Sequence, residues 1–365
     1  MTIFIHPIGR CVASRSVVQQ PCVDPKPQTL LPEGSLRSRI EIVRTPDSGL
    51  PIAGLTTDDV HATCPRDPGV PMGRRHDSSA VVQPLIRGRV ASAADAPRIG
   101  LALGGGFARG IAHAGVLKVF ERHGIPLHCI TGVSAGAIVA AAYASGTDAE
   151  EIARVGCSMR FKDVARWRIC RMGFMGSDRM KQFLSGVLKT HRFEDMPTPL
   201  GVLATDLCTG EPVSFRDTGD VYLPVRASCS YPGLFQPVAT GGRLLIDGAM
   251  SVEIPAVLAR ELGATHVISV AVPAPPLCRP PADVFQVVRR CFQIMQRHSE
   301  GVWRDASDLI LTPDLKSIDW KEFEAGPELV KAGEAAALEA LPAIREWLAP
   351  PAARAEGERL GEQFA

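Results

Sequence analysis

Apolar positions are spread unevenly along the chain. Over residues 1–95 they form short clusters broken by proline, with no period sustained long enough to build an element. Such a stretch buries too little surface to offset its ordering entropy, so a disordered N-terminal region is expected. From Arg98 the pattern changes. Ile99-Gly100-Leu101-Ala102-Leu103 is a compact apolar run closed by glycines, which predicts a buried strand. Ile111, Val116, Val119 and Phe120 follow at helical spacing and stop at Gly124-Ile125-Pro126. A second apolar run, Leu127 to Thr131, enters a turn and then an Ala-rich helix from Ser134 to Ala144. Strand, loop, helix, strand, turn, helix within roughly 50 residues is the mark of a parallel sheet covered by helices.

Further along, Ser177 is placed to cap a helix reaching about Lys189. Residues 200–207, 212–215, 244–246, 266–272 and 308–311 read as strands. Residues 255–262, 282–303 and 326–348 read as helices, the middle one long and amphipathic. The expected fold class is therefore α/β: a three-layer α/β/α arrangement around a mostly parallel central sheet. Three segments are expected: a disordered extension over 1–95, a folded domain over 96–348, and a polar C-terminal tail over 349–365. The Ala-rich stretch 127–145 has the length of a membrane span. Its hydroxyls and its G-V-S-A-G turn fit a strand, a turn and a buried helix better.

Composition narrows the function. Lys+Arg number 40 against 39 Asp+Glu, for a net charge of +1, so nothing marks a nucleic-acid partner. The segment 1–95 holds one aromatic, Phe4, and its first residues lack the basic start of a secretory signal. Its role stays open: an extension, a stretch upstream of an internal start such as Met72, or an address read by a dedicated export machine. The 10 cysteines include no C-x-x-C pair and none sits with histidine at zinc-ligand spacing. No metal and no cofactor are expected, and reduced cysteines suit a cytoplasmic location, soluble or peripheral at the membrane.

Three motifs carry candidate chemistry. Gly132-Val133-Ser134-Ala135-Gly136 is a G-x-S-x-G between a strand and a helix. A nucleophile elbow turns so sharply that its flanking residues must be tiny, which makes Ser134 a candidate nucleophile and Gly132 and Gly136 its hinge residues. The competing reading is a serine that merely caps the helix. Gly104-Gly105-Gly106-Phe107-Ala108-Arg109-Gly110 is a glycine loop in the same strand-to-helix context. A dinucleotide fingerprint needs glycine where Arg109 stands, so an oxyanion hole made of uncovered backbone N–H groups is the better reading. Arg109 either braces that loop or adds positive charge near a phosphate. Asp247-Gly248-Ala249 follows an apolar strand, and strand C-termini are where open α/β sheets build their sites. None of the nine histidines sits after a strand end downstream of this acid, so Asp247 is the best available base. Burial beside the Ser134 hydroxyl would raise its pKa toward usefulness.

The glycine loop, the G-x-S-x-G and the later D-G-A, in that order and without a histidine, resemble the patatin-like phospholipases, in particular their bacterial branch related to neuropathy target esterase. GGGFARGIAHAGVLKVFERHGIP, ITGVSAGAIVAAAYASG and ASCSYPGLFQP carry the likeness. The resemblance implies a Ser134–Asp247 dyad, with Gly104, Gly105 and Gly106 holding the oxyanion, helped by Arg109, and Gly248 and Ala249 turning the chain after the base. It implies an acyl-enzyme mechanism on phospholipids, lysophospholipids or other acyl esters, without a metal. Two departures stand out: Val252 and Glu253 occupy positions where many members have asparagine, and Phe107 stands where related sequences often have a small residue. The segment Arg160 to Met175 mixes arginines with Phe161, Trp167, Met172 and Phe174, which fits either an ordinary solvated surface segment or a membrane-facing flap. The alternative to an enzyme is a catalytically weak lipid-binding or regulatory protein that keeps the elbow as architecture.

Overall fold

The computed structural model describes residues 96–272, 280–315 and 318–349. The expected extension 1–95 and the tail beyond 349 lie outside them. Five strands form a parallel core in the order β10 (Leu309–Leu311), β9 (His266–Val270), β1 (Ile99–Leu103), β2 (Cys129–Gly132) and β5 (Leu200–Asp206). Three antiparallel strands extend it: β6 (Pro212–Phe215), β7 (Val238–Thr240) and β8 (Arg243–Asp247).

Alternation along β1 explains the layers. Ile99, Leu101 and Leu103 face one side and join a core with α1 (Ala112–Arg122), α2 (Ala135–Ala144) and α10 (Gly326–Leu348). Ala102 faces the other side, where α7 (Ala256–Glu261) and α9 (Gly301–Asp305) cover it with Ala256, Ala259 and Trp303. Helix α2 is apolar nearly all round because it is sandwiched inside the protein. No helix among the described residues is long and apolar enough to cross a membrane.

Several elements differ from the sequence expectation. The stretch after α2 holds α3 (Ala149–Ser158), α4 (Phe161–Val164) and an antiparallel hairpin of β3 (Arg166–Cys170) and β4 (Gly173–Gly176). Helix α5 (Asp178–Ser185) stops at Gly186, short of Lys189. The Ser177 hydroxyl accepts from Arg226 Nε (3.1 Å) instead of capping it. A further helix, α6 (Tyr222–Ser228), packs on β5 and β8. The long helix 282–303 is two, α8 (Val284–Ser299) and α9, meeting at Glu300.

The largest correction concerns Asp247. It ends a strand, but β8 runs antiparallel to its neighbour β5, so the parallel-sheet rule does not bring it to the site. The register does. Val202 pairs with both β2 and β6, and Ala204 and Thr205 pair with both β6 and β8. A strand residue has one neighbour on each side, so β2 and β8 share one edge of β5. They arrive from opposite directions, Gly132 opposite Val202 and Asp247 opposite Ala204. Their C-terminal ends meet head to head across Leu203.

Candidate active site

The elbow after β2 is possible only with its two glycines. A Cβ on Gly132 would collide with the Gly136 carbonyl, and one on Gly136 would collide with the Leu103 carbonyl. Ser134 between them takes φ 53°, a region non-glycine residues rarely adopt. Two side chains from the end of α6 hold this strained residue. The Ser134 N–H donates to Ser228 Oγ (2.8 Å), which donates to the Leu203 carbonyl (2.7 Å), and the Cys229 thiol donates to the Ser134 carbonyl (3.2 Å). Neither Ser228 nor Cys229 carried a sequence signal beyond its place in the ASCSYPGLFQP segment.

Ser134 stands at the N-cap of α2, but its side chain makes no capping hydrogen bond. Its hydroxyl donates to Asp247 Oδ2 at 2.7 Å, while Asp247 Oδ1 accepts the Ala249 N–H at 2.9 Å. The Asp247 backbone is pinned too, its N–H on the Ser230 carbonyl (3.0 Å) and its carbonyl under Thr205 Oγ1 (3.0 Å). The turn after it leaves no room at Gly248, whose added Cβ would strike the Leu203 carbonyl. Burial of the carboxyl pushes Asp247 up to about 7, against the lowering effect of the two hydrogen bonds it accepts.

The glycine loop packs against the elbow. A Cβ on Gly105 would lie 3.3 Å from Ser134 Cβ. Gly104 departs from expectation: its N–H donates to the Val270 carbonyl (3.2 Å), extending the β1–β9 ladder, and is not offered to the cleft. The N–H groups of Gly105 and Gly106 have no partner among the described residues. Arg109 is buried, and its Nη2 donates to the Leu315 carbonyl (3.3 Å), so bracing the loop is the contact it makes. The residue also lines the cleft.

Two cavities open from Ser134. One, about 840 Å³ including its mouth, is apolar and lined by Ile138, Val139, Met159, Phe183 and Phe235 among others. The other, about 710 Å³ including its mouth, is more polar and holds Asp247, Gly105, Arg109, Arg289 and Gln293. Phe107 stands between them at φ 52°, edge-on to Tyr231 and Trp320 with ring centroids 5.2 and 4.8 Å apart. Its side chain thus lines both cavities. Glu253 also borders the polar cleft and accepts from Trp303 Nε1 (3.2 Å), with burial raising its carboxyl. The contribution of α8 to this cleft, Arg289, Gln293 and Gln296, was not foreseen.

His128 bonds the Leu262 carbonyl, and His113 bonds the Gly104 carbonyl. Among the described residues no His, Cys, Asp and Glu group could hold a metal ion. The segment 160–175 divides: Phe161 and Met175 pack inward, while Arg166, Trp167 and Arg171 are exposed. Arg168 pairs with Asp178 (3.3 Å).

Residues 101–260 match the family model of the patatin-like phospholipases. An uncharacterized NTE family protein of Mycobacterium tuberculosis is 33% identical over 162 residues, 44% of this chain and 44% of that protein. Lysophospholipase NTE1 of Cryptococcus neoformans is 35% identical over 191 residues, 50% of this chain and 12% of that protein. The match thus spans less than half the length of either relative. The solved structure of VipD from Legionella pneumophila aligns over 68% of this chain and 67% of its own, with 13% identity and a TM-score of 0.41. Over residues 101–260, less than half of its length, the chain is similar to the patatin-like phospholipase family.

Proposed function

We propose that this protein is a serine acyl-ester hydrolase of the phospholipase or lysophospholipase type, its catalytic domain spanning residues 96–348. The observation that carries the reading is the 2.7 Å hydrogen bond from Ser134 Oγ to a buried carboxylate, at the junction of an apolar and a polar cavity. Ser134 Oγ attacks the ester carbonyl carbon as Asp247 Oδ2 takes its proton. The Gly105 and Gly106 N–H groups receive the oxyanion, each worth on the order of 3 kcal/mol of barrier. The tetrahedral intermediate collapses, the ester C–O bond breaks, and the leaving alcohol takes the proton from Asp247. Water then attacks the acyl-enzyme, Asp247 again accepts and returns a proton, and the fatty acid leaves with Ser134 restored.

An Asp247 value of about 7 supports this assignment, since a base works best when its pKa lies near the working pH. The acyl chain occupies the apolar cavity and the head group the polar one, where Arg109 and Arg289 supply positive charge. The name of the fungal relative supports a lysophospholipid-type substrate. The β3–β4 hairpin contacts the lipid surface through Trp167, Arg166 and Arg171; replacing all three is expected to weaken binding to anionic vesicles on the order of 30-fold, at about 1 kcal/mol per arginine.

A release assay over short- and long-chain esters, phospholipids and lysophospholipids tests the reading, alongside labelling by a fluorophosphonate. Hydrolysis and labelling should both vanish in Ser134→Ala. Vesicle binding without either would make the protein a lipid-binding module instead.

A further inference from the structure

One buried titratable group touches the glycine loop and has no part in the steps above. His113, on α1, is fully buried with Nε2 2.9 Å from the Gly104 carbonyl oxygen. A carbonyl only accepts, so Nε2 carries the proton and donates. Burial pushes the imidazole down to about 4, so the ring is neutral at pH 7 and Nδ1 is a bare lone pair. That Nδ1 has no partner among the described residues. Leaving a buried ring nitrogen unsatisfied costs stability, a cost an apolar side chain here would avoid.

We infer that His113 is a positioning residue that aims the Gly105 N–H at the oxyanion, an inference that rests on the reading of Ser134 as nucleophile. The link is a peptide plane. There is no cis peptide among the described residues, so the Gly104 carbonyl and the Gly105 N–H point in opposite directions. His113 holds the carbonyl, and α2 closes on it so tightly that a Cβ on Gly136 would stand 2.5 Å from the Gly104 oxygen. The opposite direction leads into the polar cleft, which Gly105 lines with Ser134 and Asp247. The Gly104 N–H is tied to Val270 at the same time. With both polar groups of Gly104 anchored, a glycine run that would otherwise sample many conformations presents its next amide in one direction.

The test compares kcat and KM for p-nitrophenyl butyrate in the full chain, His113→Met and His113→Gln. Methionine fills the space without a donor, and the glutamine amide nitrogen reaches the place of Nε2. His113→Met should lower kcat on the order of 10- to 100-fold, with KM within about twofold. Its pH–rate midpoint should stay near 7, because Asp247 is untouched. His113→Gln should recover most of kcat. A wild-type kcat in His113→Met overturns the inference. So does an equal loss in both variants accompanied by a lowered melting temperature, which marks a packing role. Hydrolysis that survives Ser134→Ala sinks the underlying reading; Ser134-dependent hydrolysis indifferent to His113→Met sinks only this one.

Discussion

The two cavities that meet at Ser134 come from different parts of the chain. The apolar one is walled chiefly by α2, α3, α5 and the residues between them, whose apolar faces turn inward without filling the space. The polar one is closed by later residues, Arg289, Phe292, Gln293 and Gln296 of α8 and Trp320. On the proposed reading, chemistry belongs to their shared floor and selectivity divides between the walls, with chain length felt on one side and head-group charge on the other.

The largest effect comes from removing the floor. Ser134→Ala and Asp247→Asn should each cut kcat/KM by on the order of 10³-fold or more, equally for every ester, because both chambers depend on the same proposed nucleophile and base. A variant that lost one substrate class and kept another would break the comparison.

Next is pH. Asp247 must be ionised to accept the Ser134 proton, so kcat/KM should rise with pH through a midpoint near 7 and fall about tenfold per unit below it. Stability runs the other way. The folded carboxyl holds its proton to about 7, above the ordinary 3.8, so this contribution is full below about 4 and lost as pH rises through 7. Asp247→Asn should therefore be more stable than the wild type at pH 8, by at most about 4 kcal/mol, with the gap closing toward pH 4. His113 is held below its ordinary value and destabilises at low pH, but it is common to both proteins and cancels. Denaturant melts at pH 8 and pH 5 measure the gap; a variant less stable than the wild type at pH 8 would contradict it.

Smaller effects separate the walls. Val139→Phe, at the side of the apolar cavity, should lower kcat/KM for a sixteen-carbon ester about tenfold and for a four-carbon ester about twofold. Arg289→Gln should raise KM for a phosphate-bearing lysophospholipid roughly fivefold and leave a neutral ester unchanged. Equal responses of both substrates to either change would remove the division of labour.

Local patterns made much of this legible. The strands and helices around Ser134 follow from apolar periodicity, and Gly132 and Gly136 from the steric demand of a sharp turn. The hairpin 166–176 was missed because it is a small two-stranded element with exposed Arg166, Trp167 and Arg168 and little apolar alternation. Gly104 misled for another reason: three glycines in a row look alike, and only β9 pairing shows that the first amide is already used.

By itself the sequence determined the residue types that chemistry requires and the turns that expose them, since those depend on neighbours a few positions away. Only the tertiary structure decided how Asp247 reaches Ser134, 113 residues distant, on a strand running against its neighbour. It likewise decided that Ser228, Cys229 and His113 hold the elbow and the glycine loop. Those contacts depend on which edge of β5 each strand occupies and on which helix covers it, and long-range register leaves no mark in local spacing.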